Sequence, residues 1–102
     1  MSNFVRVAGA GEIKPGEGKT VSVNGNDVAL FNVDGNFYAI DNTCPHRGGP
    51  LGEGFLEGDA VTCPWHGWRF NVTNGANIVM PNISVKAYKV KVENNEVLIS
   101  LD

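Results

Sequence analysis

Apolar and polar positions alternate along this chain in short runs, and small polar dipeptides break the runs apart. Near the C-terminus Tyr88, Val90 and Val92 alternate with Lys89 and Lys91, the period of a strand with one buried face. Asn94-Asn95 interrupts the pattern, and Val97, Ile99 and Leu101 resume it. Residues 86–93 and 96–101 are therefore predicted to form a hairpin. In the N-terminal part, an apolar opening at 4–7 precedes runs at 20–23, 27–33 and 36–40. Asn24-Gly25 and Asp34-Gly35 separate the last three. Such dipeptides suit two-residue hairpin turns, whose central positions both need positive φ. These runs read as a three-stranded meander. No segment carries a helical stripe, because glycine and asparagine recur too often for a long helix. The predicted class is all-β, a small antiparallel sandwich or barrel-like base.

Length and composition narrow this picture. The 102 residues suit one domain, with 42% apolar and 19% charged side chains, enough apolar surface to offset chain ordering. A net charge of −3 speaks against a nucleic-acid binder, which would present a basic face. No apolar run exceeds four residues, so no transmembrane helix is expected, and the N-terminus lacks the apolar core of a secretory signal. A soluble cytoplasmic protein is expected.

The pattern changes between Asp41 and Ile78. Seven of the 13 glycines fall there, with Pro45, Pro50 and Pro64. Both cysteines and both histidines of the chain fall there too. The expected organisation is a single domain, 1–102, with a base at 1–41 and 77–102 and a loop-rich insertion at about 42–76. A segment with so few apolar side chains needs another source of order, and a bound metal centre supplies one.

The four metal-ligating residues come as two mixed pairs, CPH at 44–46 and CPWH at 63–66, with sixteen residues between His46 and Cys63. Cys44 and Cys63 taken alone read as small buried hydrophobes, and His46 and His66 as surface residues. Their convergence in two close pairs points to metal instead. A disulfide would leave both histidines unexplained. Two sulfurs and two nitrogens suit zinc or an iron–sulfur centre. Structural zinc favours pairs of like ligands, whereas a Rieske centre takes two cysteines on one iron and two histidines on the other.

The segments CPHRGGPL (44–51) and CPWHGWRF (63–70) closely resemble Rieske ferredoxins. That resemblance implies a 2Fe–2S cluster, with Cys44 and Cys63 on an inner iron and His46 and His66 on an outer one. It also implies a cluster-binding insertion on a β base. The surroundings of the cluster would include Arg47, Gly48, Gly49, Trp65, Gly67 and Trp68. Pro81, within VMPN, stands where the family's shielding proline is found, and reads equally well as an ordinary turn proline. Gly48, Gly49 and Gly67 are expected where backbone must approach the cluster sulfurs closely.

High-potential members of the wider family resemble this motif but carry two further cysteines, and a serine and a tyrosine that donate hydrogen bonds to sulfur. Gly49 and Trp65 stand in the cysteine places, and Trp68 and Phe70 in the other two. Fewer donors leave more negative charge on the sulfurs, which implies a potential near the low end of the Rieske range, about −150 mV. Trp65, Trp68 and Phe70 are expected to pack and keep water off the site.

By the same resemblance the chain is a one-electron carrier and not an enzyme by itself. Its partners would be an NAD(P)H-dependent flavoprotein reductase and a terminal, aromatic-ring-hydroxylating oxygenase, each docked transiently by a monomeric shuttle. Rieske oxygenases need a second, mononuclear iron held by two histidines and a carboxylate, and both histidines here are already used. Arg47, Glu53 and Glu57 are candidates for steering the partners. Two other readings remain open on the residues: a Rieske-fold small subunit of a nitrite reductase, and a structural zinc module.

Overall fold

The computed structural model describes residues 4–45, 48–65 and 67–100; His46, Arg47 and His66 lie outside the described residues. Among the described residues, nine strands form two antiparallel sheets. They are β1 (Phe4–Gly9), β2 (Gly18–Val23), β3 (Asn26–Val33), β4 (Asn36–Asp41), β5 (Phe55–Glu57), β6 (Ala60–Thr62), β7 (Arg69–Asn71), β8 (Ala87–Glu93) and β9 (Glu96–Ser100).

The larger sheet has the order β1-β9-β8-β4-β3-β2. Its outer strands, β1 and β2, approach each other, so the sheet curls into a nearly closed barrel that covers most of its own edge. The turns that build it are the expected ones. Asn24 and Gly25 have φ of 50° and 83°, Asp34 and Gly35 of 52° and 92°, and Asn94 and Asn95 of 51° and 62°. Positive φ at both central positions gives the turn a twist that matches the strands it joins. The β2–β3, β3–β4 and β8–β9 hairpins run in continuous register. The β4–β8 seam is much shorter. It pairs only Ala39 with Tyr88 and Ile40 with Ala87. One backbone bond continues it, from the Asp41 N–H to the Lys86 carbonyl at 2.9 Å.

The smaller sheet, order β5-β6-β7, was not foreseen as strands. Each of its strands has three residues, too few for alternation to register against the surrounding glycines.

β3 joins the two halves. Val28, Ala29, Leu30 and Phe31 are all fully buried, so both faces of this strand are covered. Val28 and Leu30 face the barrel interior with Val21, Ala39, Val97 and Ile99. Ala29 and Phe31 face the opposite way, into a second core with Leu51, Val61, Phe70 and both cysteines. A continuous apolar run is what burial on two faces demands of a strand. The candidate site thus rests on the outer face of the barrel.

Candidate metal centre

Cys44 and Cys63 sit in two loops of the same construction. In the first, the Gly48 N–H donates to the Cys44 carbonyl at 2.7 Å and the Cys44 N–H donates to the Gly49 carbonyl at 3.0 Å. In the second, the Gly67 N–H donates to the Cys63 carbonyl at 3.1 Å and the Cys63 N–H donates to the Trp68 carbonyl at 2.7 Å. Each loop therefore closes four residues after its cysteine, on a glycine with φ of 77° (Gly48) or 78° (Gly67). A Cβ there would be strained, which accounts for glycine at both positions. The expectation for these two glycines needs adjusting in one respect: their N–H groups are used to close the loops.

Neither cysteine is in a disulfide, and both are buried, Cys44 at 0% and Cys63 at 1% exposure. Gly49 lies against Cys63 and Trp65. A Cβ built on Gly49 would stand 2.7 Å from Cys63 Sγ and 3.1 Å from Trp65 Cγ, so only glycine lets the first loop come this close to the second. Gly49 is itself buried, and among the described residues its N–H has no acceptor. A buried unpaired donor beside a thiol is rare in a finished core. It suits a thiolate or sulfide that brings its own negative charge.

The cysteine loops are fixed by bonds that reading the sequence did not single out. Asn42, buried two residues before Cys44, accepts through Oδ1 from the Gly52 N–H at 2.7 Å and from the Thr20 hydroxyl at 3.0 Å. Its backbone carbonyl accepts from the Leu51 N–H at 2.7 Å. This ties the first cysteine loop to the 3₁₀ turn Leu51–Glu53 and to β2. Asn77, also buried, accepts through Oδ1 from the N–H groups of Val79 and Met80, both at 2.9 Å. Its place beside the second loop is set by the Ile78 N–H, which donates to the Arg69 carbonyl at 2.9 Å. The only sequence signal for either asparagine was its position at the edge of an apolar run.

The aromatic side chains divide. Phe70 is fully buried, and Trp68 is half-buried with its ring 6.5 Å from that of Phe70. Trp65 does not pack as expected: its stem lies on Gly49 while 59% of the residue is exposed. Pro81 is exposed in a turn closed by the Ile83 N–H on the Met80 carbonyl at 2.8 Å, the position at which proline's fixed φ suits a turn. Glu53 and Glu57 are exposed, and the expectations for His46, Arg47 and His66 fall outside the described residues.

A family model described as the Rieske [2Fe-2S] domain matches residues 3–91. The chain is 38% identical to the ferredoxin component of naphthalene 1,2-dioxygenase/salicylate 5-hydroxylase systems from a Ralstonia species, over 98% of this chain and 97% of the relative. It is similar, at 32% identity and a TM-score of 0.88, to a chain in a complex of reduced oxygenase and oxidized ferredoxin in carbazole 1,9a-dioxygenase, covering 98% of this chain and 94% of that one. A putative NADH-dependent nitrite reductase small subunit from Mycobacterium tuberculosis matches with a TM-score of 0.92 over 100% of this chain and 97% of its own length. At 24% identity that last likeness concerns the fold alone. The residues present fit the group this family carries: two buried cysteines outside any disulfide, a close approach to Cys63 Sγ that only glycine permits, and a buried Gly49 N–H with no acceptor among the described residues.

Proposed function

Because the chain belongs to the Rieske [2Fe-2S] domain family, we propose that Cys44, His46, Cys63 and His66 hold its 2Fe–2S cluster. The chain carries single electrons from an NAD(P)H-dependent flavoprotein reductase to a terminal oxygenase of the ring-hydroxylating type. When bound, the cluster supplies a one-electron couple. The protein's own residues do the rest. The core around Phe31, Leu51, Val61 and Phe70 excludes water from the cysteine side, where the thiolates need a dry, fixed setting. The two matched loops are closed by backbone hydrogen bonds, which would hold that pair of ligands in one geometry and keep reorganisation small at each transfer. The histidine positions follow their cysteines by two residues in one loop and three in the other.

The observation that carries this reading is the pair of buried cysteines, outside any disulfide, on matching loops that share one core and meet at Gly49. The ferredoxin relatives support the carrier role, and the oxygenase–ferredoxin complex supports the acceptor. No helix among the described residues is long and apolar enough to cross a membrane. The cytoplasm, a reducing compartment that preserves free thiols, is the location we assign. The base at 1–41 and 77–102 and the insertion at about 42–76 form one domain in this reading, and the chain acts as a monomer.

Purified protein is expected to hold two irons and two acid-labile sulfides, with visible and electron-spin spectra that change on addition of dithionite. Replacing His46 or His66 with alanine should abolish the spectrum. Iron-free protein from a competent host, or an alanine variant with an unaltered spectrum, would overturn the assignment.

A further inference from the structure

Six large apolar side chains are exposed among the described residues; three of them are consecutive, Ile78, Val79 and Met80, and a fourth, Trp65, is on the second cysteine loop. Val79 is 80% exposed. These residues come from the tip of the second cysteine loop and from the segment that follows β7, which the Ile78–Arg69 backbone bond and the isolated Phe70–Asn77 bridge hold side by side. The exposure is built, not incidental. Asn77 spends its buried side-chain oxygen on the N–H groups of Val79 and Met80, which fixes the backbone of the turn that presents them. Between the two segments lies a cavity of about 180 Å3, lined by Gly67, Trp68, Arg69, Asn77, Val79 and Met80. Arg69 is exposed at its wall and forms no ion pair among the described residues.

A concentrated apolar patch with a small pocket and one unpaired cation is a docking surface, whereas scattered single side chains are ordinary on any protein. Its place selects the occupant. The patch adjoins the loop that bears Cys63 and, in the reading above, His66, so a redox partner must cover it to come near the cluster. We propose that this face docks the electron acceptor, a protein that inserts one apolar side chain between Trp68 and Met80 and sets a carboxylate against Arg69. The inference rests on the carrier reading and names the residues that serve it. On this face desolvation supplies most of the affinity, and Arg69 supplies orientation and a single salt-sensitive contact. One electron then leaves the reduced carrier and the acceptor's oxidised centre gains it.

The test is stopped-flow transfer from the dithionite-reduced holoprotein to two purified acceptors, the terminal oxygenases of naphthalene 1,2-dioxygenase and of carbazole 1,9a-dioxygenase. Val79→Asp is expected to lower the second-order rate at least tenfold, and Met80→Gln severalfold. Arg69→Gln should lower it severalfold and flatten its dependence on sodium chloride. Val92→Asp, an exposed apolar position on β8, should leave the rate unchanged. Oxidation by ferricyanide, which needs no docking, should be the same in all four variants, and their visible spectra should match the wild type. Transfer that is equal in Val79→Asp and Val92→Asp would overturn the docking face while leaving the carrier role intact. A wild type that reduces neither oxygenase would overturn the carrier role and the face with it.

Discussion

The two halves of this molecule are held together by different means. The barrel is a ladder structure: long hairpins, paired residue for residue, with turn dipeptides that have the φ angles their geometry requires. The half that carries the cysteines has three-residue strands, and much of its backbone is satisfied by side chains. Asn71 accepts from the Thr73 N–H at 2.8 Å, Asn74 from the Ala76 N–H at 2.9 Å, Asn77 from Val79 and Met80, and Asn42 from Gly52. Side-chain oxygens of this kind satisfy irregular backbone without committing it to a sheet. They leave a surface free for loops whose shape a metal centre sets. The lesson is a division of labour. The barrel is built on its own ladder pattern, and the cysteine half is expected to take part of its order from what it binds.

The largest expected effect tests that division directly. Replacing Cys44 with serine should abolish the cluster, and native-state hydrogen exchange should then separate the halves. Amides of β3 and β9 should stay protected, while those of Val61 and Phe70 should lose most of their protection. Equal loss in both halves would mean that the barrel also depends on the metal. Next in size is Phe31→Ala. Phe31 is the fully buried side chain through which β3 supports the cysteine core. Its truncation should cost about 3–5 kcal/mol, measured by chemical denaturation of the holoprotein. Because Val28 and Leu30 face the other way, Leu30→Ala should cost about 2–5 kcal/mol through the barrel with less effect on cluster retention.

A smaller effect sharpens the comparison at the point where the loops meet. Gly49→Ala places a methyl 2.7 Å from Cys63 Sγ and 3.1 Å from Trp65 Cγ. Trp65 has an exposed ring and can move, but the thiol cannot. Overpacking of this kind costs about 1–3 kcal/mol, and the variant should lose iron faster to a chelator. Unchanged iron retention would show that the loops can part without loss.

The sequence disclosed these two halves unequally, for physical reasons. Strands β2, β3, β4, β8 and β9 were readable because alternation and turn chemistry agree along each hairpin. The Cys-x-His and Cys-x-x-His pairs stand out in the sequence because a cysteine and a histidine close together, twice in one short segment, are the ligand types that a metal centre of mixed ligands takes, and the structure brings the two cysteines into one buried core. The β5-β6-β7 sheet was not, because three residues carry no period. The roles of Asn42 and Asn77 were hidden as well. What an asparagine oxygen accepts from depends on which backbone the fold brings to it, and Gly52 is ten residues from Asn42. Trp65 shows the same limit: a tryptophan beside a ligand reads as packing, and its exposure is a property of the folded surface.

The smallest effect concerns the short seam of the barrel. β4 and β8 pair at only two positions, and the Tyr88 hydroxyl crosses that seam to donate to Asp41 Oδ1 at 2.6 Å. Burial and the Asp41 carboxylate raise the Tyr88 pKa from its ordinary value of 10 to about 12. A raised pKa means that the folded chain holds the phenolic proton more tightly than the unfolded chain does. The contribution is therefore complete below pH 10 and lost as pH rises toward 12. Both residues are half-buried, and the remaining solvent access weakens the interaction, so Tyr88→Phe should cost about 1 kcal/mol near neutrality. The gap between wild type and variant should close above pH 10, because the wild type alone loses stability there. Urea titrations at pH 8 and pH 11 measure both quantities. A gap that stays constant across that interval would mean that it does not arise from the phenolic proton held by Asp41, and would leave the seam without its side-chain tie.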